Sequence, residues 1–257
     1  MNVGEIEMFF RKKANASDVG KIIVGDVTQV AAEGYDRLRD NILFLNADGN
    51  KKVIQVESSV ASEGKTTTVC NLAVSLGLTG KKVVVVDLDF RRPKVHREFN
   101  LDKDEGIAEY ILSGKDLSKI VKKSEYENVD VVTRGAEIHN SSFVFISEKF
   151  KALINALKEK YDYVLLDCPP VLLVSDYIHI SKVSDGVLFI VAHARTTKSQ
   201  VLEAVKELKK NGASVLGAVF TMYDKKKSKY YRSGGTYTTL ASRYYKKNET
   251  TENSSED

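Results

Sequence analysis

Apolar residues along this chain recur with two alternating periods. From Val30 to Leu45 they fall at Ala31, Tyr35, Leu38, Ile42 and Leu45, while Glu33, Arg37, Arg39 and Asp40 occupy the other face, which predicts an amphipathic helix. A strand at 53–57 follows, then a polar turn, then a helix from Thr66 to Leu78 that ends at Gly80, where a left-handed cap is expected. Lys82 to Asp87 is almost pure valine, which suits a strand buried on both faces, as in a parallel sheet covered by helices. The alternation continues through a helix near Ile107 to Leu112, a strand at Val129 to Val132, a helix at Ser147 to Lys160 and a strand at Tyr163 to Asp167. Two more strands, Gly186 to Ala192 and Ser214 to Phe220, flank a helix at Ser199 to Lys210. The fold class predicted is α/β, a doubly wound, mostly parallel sheet flanked by helices, with ligands bound at the carboxyl ends of the strands.

The turn after the first strand reads Ser58-Ser59-Val60-Ala61-Ser62-Glu63-Gly64-Lys65-Thr66-Thr67. Small residues before a helix leave backbone N–H groups free to wrap phosphate oxygens; Lys65 adds a cation and the Thr66 hydroxyl a magnesium ligand. A nucleoside triphosphate, ATP, is the expected ligand, held by Ser62, Glu63, Gly64, Lys65, Thr66 and Thr67. The G-x-x-x-x-G-K-[ST] pattern is imperfect: Ser59 stands at its first glycine, and Ser62 at another position where glycine is common.

Acidic residues close two strands. Asp87 and Asp89 lie two apart, so on extended backbone their carboxylates project to one side while Leu88 turns into the core. Asp167 ends its strand before the stop at Pro169-Pro170. Thr66, Asp87, Asp89 and Asp167 are the expected magnesium site, and Lys65, Asp87 and Asp89 the expected catalytic set.

With 257 residues, 42% of them apolar, the chain can bury one substantial core, which predicts an extension at 1–29, a single domain at 30–222 and a tail at 223–257. The balance of 39 Lys plus Arg against 35 Asp plus Glu is too mild to argue for nucleic acid, and none is expected as a partner. Cys70 and Cys168 read as small buried thiols in a reducing compartment, with no metal or disulfide framework. Met1 to Arg11 lacks the basic-then-apolar order of a secretory signal, and the apolar runs fall short of the ~20 residues of a spanning helix, so a cytoplasmic location is expected.

Half of the 12 tyrosines, Tyr223, Tyr230, Tyr231, Tyr237, Tyr244 and Tyr245, stand together among Lys225, Lys226, Lys227, Lys229, Ser233, Gly234 and Gly235. Such a segment lacks the apolar residues of a core. Between Tyr223 and Lys247 eight Lys or Arg face only Asp224, a net +7. Six phosphotyrosines would add about −9 to −12 and reverse that sign.

With these residues in view, the chain resembles the bacterial tyrosine kinases of the capsule and exopolysaccharide type, within the wider group of partitioning-type P-loop ATPases. The resemblance is carried by Ser58 to Thr67, by Val83-Val-Val-Val-Asp-Leu-Asp-Phe-Arg-Arg-Pro93 as the family's second acidic motif, by Val164 to Pro170 as its Walker B strand, and by the tyrosine cluster. It implies autophosphorylation of the six tail tyrosines between subunits of a ring, a transmembrane activator whose cytoplasmic segment recruits the kinase to the inner face of the membrane, and a cognate tyrosine phosphatase. It also implies an oligomerisation motif, E-x-x-R-x-x-R, met here by Glu33-Gly34-Tyr35-Asp36-Arg37-Leu38-Arg39, with aspartate at the middle position and Arg37 one step later. Asn140-Ser141-Ser142-Phe143 stands for a usual Asn-Pro-Ser-Glu run, and Thr221 replaces an asparagine, a change expected to alter how the nucleotide base is held. Arg91 or Arg92 offers transition-state charge or a structural ion pair. The alternative reading is a partitioning or cell-division ATPase, but those proteins carry an extra lysine early in the phosphate loop, where this chain has Val60.

Overall fold

The computed structural model describes residues 22–23, 30–138, 140–193 and 195–222. Seven strands form one sheet: β1 (Val53–Ser58), β2 (Val83–Asp87), β3 (Val121–Lys123), β4 (Val129–Val132), β5 (Tyr163–Asp167), β6 (Gly186–Ala192) and β7 (Val215–Thr221), in the order β3-β4-β2-β5-β1-β6-β7. Every pairing is parallel except that of β3 with β4. The longer helices are α1 (Val30–Leu45), α2 (Lys65–Gly77), α7 (Glu148–Lys160) and α9 (Lys198–Lys210). Shorter ones are α3 (Val95–Glu98), α4 (Ile107–Ser113), α5 (Leu117–Ile120), α6 (Ser141–Phe145) and α8 (Tyr177–Ile180).

The valine strand shows why the sheet is covered on both sides. Val83 and Val85 join Ile42 of α1 and Leu72 and Leu76 of α2 on one face, while Val84 and Val86 join Phe150, Leu153 and Leu157 of α7 on the other. Successive side chains of a strand point to opposite faces, so a run apolar at every position needs a helical layer on each. A third cluster packs Ala204 and Leu208 of α9 against Val187, Phe189 and Val191 of β6. Each large side chain so buried contributes roughly 1.5–3 kcal/mol.

Caps set the ends of the two amphipathic helices beneath the sheet. Ser147 accepts the Phe150 N–H at 3.1 Å before α7, and Thr197 accepts the Gln200 N–H at 3.3 Å before α9. The predicted elements are present with boundaries moved by a residue or two, and the additions are short: the three-residue antiparallel β3 and four helices of four or five residues. Both cysteines are buried and free. Among the described residues no helix is long and apolar enough to cross a membrane. The six tail tyrosines lie outside the described residues.

Candidate active site

Parallel pairing brings the ends of β1, β5 and β2 side by side. Val56 faces Asp167 across the β1–β5 pair, and Asp87 faces Asp167 across the β2–β5 pair, so the phosphate loop and two carboxylates open at one edge of the sheet.

The loop turns through two left-handed residues, Ser62 at φ 62° and Gly64 at φ 88°. Gly64 carries no side chain at a point where a Cβ would already touch Thr221 at 3.5 Å. The left-handed φ at Ser62 explains why glycine is common there, since a non-glycine residue is strained at positive φ. The first helical hydrogen bond of α2 runs from the Thr68 N–H to the Gly64 carbonyl at 2.9 Å. The N–H groups of Lys65, Thr66 and Thr67 therefore lack an acceptor within the helix and form the positive end of its dipole.

Lys65 is buried and donates from Nζ to Ser58 Oγ at 3.0 Å; Ser58 Oγ in turn donates to the Val60 carbonyl at 2.8 Å. The Thr66 hydroxyl donates to Asp167 Oδ2 at 2.7 Å. Glu63, fully buried, serves the loop itself: its carboxylate accepts the Val60 N–H at 2.6 Å, the Ala192 N–H at 3.3 Å and the Thr196 hydroxyl. Thr221 completes the tie, its hydroxyl donating to the Glu63 carbonyl at 2.6 Å. The expected effect of Thr221 on the nucleotide base is thus joined by a direct bond from β7 to the phosphate loop.

β2 ends at Asp87, whose Oδ2 accepts the N–H groups of Lys94 and Val95 at 3.0 and 3.1 Å. Leu88 is buried, as the alternation requires. Asp89 sits in a turn rather than on extended strand, its Oδ1 accepting the Arg92 N–H at 3.0 Å. Among the described residues no three His, Cys, Asp or Glu side chains are grouped as ligands of one metal ion. Asp87 and Asp167 are paired in register, and Asp89 reaches them through its charge.

Burial, then the neighbouring Asp167 charge, raises the Asp87 carboxyl well above the ordinary carboxylate range. Burial lifts Asp167 to about 6, against the opposing pull of Lys65 and the Thr66 hydroxyl. Asp87 Oδ1 and Asp167 Oδ1 are buried without a hydrogen-bond partner. Two crowded carboxyl groups with orphaned oxygens, beside a threonine hydroxyl, fit a hydrated divalent cation, which favours their charged forms.

Several contributors escaped the sequence reading. Asp176, 1% exposed, accepts Arg91 at 2.7 Å and the Ser141 and Ser142 hydroxyls at 2.9 and 3.3 Å, so Arg91 stands in a structural ion pair and Ser141 and Ser142 have a defined role. Glu57 of β1 is fully buried, accepts from Gln55 at 2.7 Å and is pushed by burial up to about 8. Its only sequence signal was the polar spacing of Gln55 and Glu57 within an apolar strand.

In the expected assembly motif, Glu33 and Arg37 are exposed and 3.8 Å apart. Arg39 turns inward, bonded to Asp36 at 2.9 Å, to Asp40 at 2.8 Å and to Ser75 of α2 at 3.3 Å, while Ser75 donates to Asp36 at 2.7 Å.

Residues 51–217 match the sequence profile of a family described as an AAA domain. The chain is 34% identical over 203 residues to the tyrosine-protein kinase YwqD of Bacillus subtilis, covering 79% of this chain and 85% of that protein. It is 31% identical to the putative tyrosine-protein kinase CapB of Staphylococcus aureus, covering 79% and 90%. Among solved structures, the chimerical protein CapA2B2 superposes with a TM-score of 0.73 at 30% identity, over 79% of this chain and 92% of that one. The Pyrococcus horikoshii septum site-determining protein MinD, complexed with Mg-ADP, shares the fold alone, with a TM-score of 0.59 at 24% identity, over 68% and 72%. A P-loop with its lysine and threonine in place, two acidic strand ends beside it and these relatives have one conclusion: the chain belongs to the bacterial tyrosine-protein kinases of the AAA-domain, P-loop class.

Proposed function

We propose that the chain transfers the γ-phosphoryl group of ATP to tyrosines of its own 223–245 segment, between copies, and thereby regulates capsular or exopolysaccharide synthesis and export. The observation that carries this reading is the arrangement of Lys65, Thr66, Asp87 and Asp167 at adjoining strand ends. Six tyrosines follow the last strand closely enough in sequence to serve as acceptors.

The loop residues Ser62 to Thr67 hold the polyphosphate by backbone N–H groups, with Lys65 as the compensating cation. Thr66, Asp87, Asp89 and Asp167 would hold magnesium, directly or through its water shell, and that ion supplies positive charge at the phosphates. A tyrosine hydroxyl with a pKa of about 10 is only about 0.1% ionised at pH 7, so a carboxylate must take its proton. Asp87 is assigned that role through Oδ1, because Oδ2 is engaged by Lys94 and Val95. Late proton removal suits a carboxylate held beside a cation.

A transmembrane activator, a cognate tyrosine phosphatase, assembly into a ring through Glu33, Arg37 and Arg39, and a place at the inner face of the membrane belong to the same proposal. The relatives named tyrosine-protein kinase support it. The alternative, an ATPase that hydrolyses ATP to control assembly, draws on the shared MinD fold. Incubation with labelled ATP and magnesium separates them: label on the tail tyrosines, identified by mass spectrometry before and after phosphatase treatment, is the result expected, and free phosphate without protein label overturns the kinase reading.

A further inference from the structure

Beside the candidate active site lies a groove of about 370 Å³ that no step of phosphoryl transfer uses in full. Six cationic side chains line it: Arg91, Arg92, Lys94, Arg97, Lys103 and Arg134. Arg91 is paired with Asp176, and Arg134 donates to the Phe90 carbonyl at 3.1 Å; among the described residues the other four form no ion pair. Of the nearby acids, Glu105 holds Lys115, the Asp102 carboxylate accepts the Asp104 N–H at 2.8 Å and feels the Lys103 charge, and Glu98 and Asp167 feel that of Lys94, which leaves cations in excess along the groove. Burial, then the charges of Arg97, Lys103 and Arg134, pushes the His96 imidazole below its ordinary value, a sign of the positive field in the groove. Six cations this close, one of them ion-paired, favour an anionic partner.

This chain carries a matching segment. Residues 248–257 read Asn-Glu-Thr-Thr-Glu-Asn-Ser-Ser-Glu-Asp, with acids at Glu249, Glu252, Glu256 and Asp257 and no Lys or Arg. Residues 223–247 carry a net +7 and are repelled by the same groove, so only the acidic stretch is complementary. We infer that the groove lined by Arg92, Lys94, Arg97, Lys103 and Arg134 is a docking site for the acidic segment 249–257 of a second copy of this chain, which anchors the tail and delivers Tyr244 and Tyr245 to the carboxylates of the active site. This inference rests on the tail being the phosphate acceptor.

The spacing agrees. Tyr245 precedes Glu249 by four residues, a reach of roughly 14 Å when extended. The groove begins in the turn of Asp89 itself, whose Oδ1 accepts the Arg92 N–H. An anchor there leaves the last two tyrosines a short lead to the site and the earlier ones a longer one.

The test has two arms. In the first, a fluorescein-labelled peptide of residues 248–257 is titrated by anisotropy against full-length protein bearing Glu249→Gln, Glu252→Gln, Glu256→Gln and Asp257→Asn, so that its own tail does not compete. Saturable binding, weakened at least tenfold by Arg97→Glu with Lys103→Glu and weakened by salt, is expected. Absence of binding, or indifference to the two groove substitutions, overturns the inference, as does a groove that binds a phosphotyrosine peptide but not this one.

In the second arm, active full-length protein phosphorylates a full-length Lys65→Ala substrate. Neutralising the four acids in the substrate is expected to raise KM about tenfold with kcat held, and Glu249→Lys with Glu252→Lys in the substrate to restore KM for the Arg97→Glu, Lys103→Glu enzyme. Equal KM for charged and neutral tails overturns it. The peptide arm needs no phosphoryl transfer, so a chain that forms no phosphotyrosine refutes the kinase reading while the docking result still stands or falls by itself.

Discussion

The Thr66 hydroxyl and Asp167 Oδ2 are hydrogen-bonded at 2.7 Å, which joins the first turn of the helix after the phosphate loop to the end of the neighbouring strand. One atom pair thus unites the two halves of the expected magnesium site before any cation is bound. Replacing Thr66 by Val keeps the volume and removes both the donor and the proposed metal ligand. Phosphotyrosine formation should fall by about a hundredfold, ~2.7 kcal/mol of transition-state stabilisation, with no recovery at high magnesium. Excess EDTA should silence the wild type to the same baseline.

Thr221 holds the phosphate loop from the far side of β1 through the Glu63 carbonyl. Thr221→Val removes one hydrogen bond worth ~1 kcal/mol and frees the loop end next to Gly64. A several-fold rise in the Kd for ATP, with an unchanged far-ultraviolet circular dichroism spectrum, is the outcome expected from titration.

Ser62 keeps a φ of 62° with a side chain that tolerates it. Ser62→Val, β-branched at a left-handed position, should cost about 1–3 kcal/mol, whereas Ser62→Gly should stay close to the wild type because relieved strain is offset by greater freedom in the unfolded chain. Urea unfolding of the three proteins decides this.

Glu57 makes stability depend on pH with a definite sign. Its carboxyl moves from an ordinary 4.5 to about 8 on folding, because burial disfavours the charge. Between those values the folded chain holds a proton that the unfolded chain lacks, so this group's contribution to stability falls as pH rises from about 4.5 to about 8 and is level above. Glu57→Gln has no such group, and its melting temperature should gain on that of the wild type across the same window.

Asp176 gathers Arg91, Ser141 and Ser142 around one buried carboxylate. Asp176→Ala leaves two hydroxyls without their acceptor and releases a half-exposed guanidinium, a loss of about 1–3 kcal/mol. Denaturant midpoints should record it, while Arg91→Lys should cost less.

Six of the seven strands were legible as largely apolar runs and the main helices by a period kept over three or more turns, whereas β3, Val-Lys-Lys, carries no such run. Val83 to Val86 announced both covering layers at once. The short helices Val95–Glu98 and Tyr177–Ile180 give no readable period, since one turn presents one apolar face at most. The phosphate loop, Asp87 and Asp167 stood out by spacing from strand ends. Asp176 did not, because its meaning comes from Arg91, 85 positions earlier in the chain, and no local pattern marks such a partner. Glu63 belongs to the expected phosphate cradle by its place in the motif, and its side chain, bonded to Val60, Ala192 and Thr196, braces the loop, a role that no local pattern marks.

Arg39 has a consequence for how strongly copies would adhere in the proposed ring. Its guanidinium is engaged through Nε and one terminal nitrogen by Asp36, Asp40 and Ser75 of its own copy, while Glu33 and Arg37 are the more exposed charges of this helix. Those two are solvated and already attract each other, which makes the contact cheap to undo: a quaternary arrangement built on them dissociates readily on dilution and in salt.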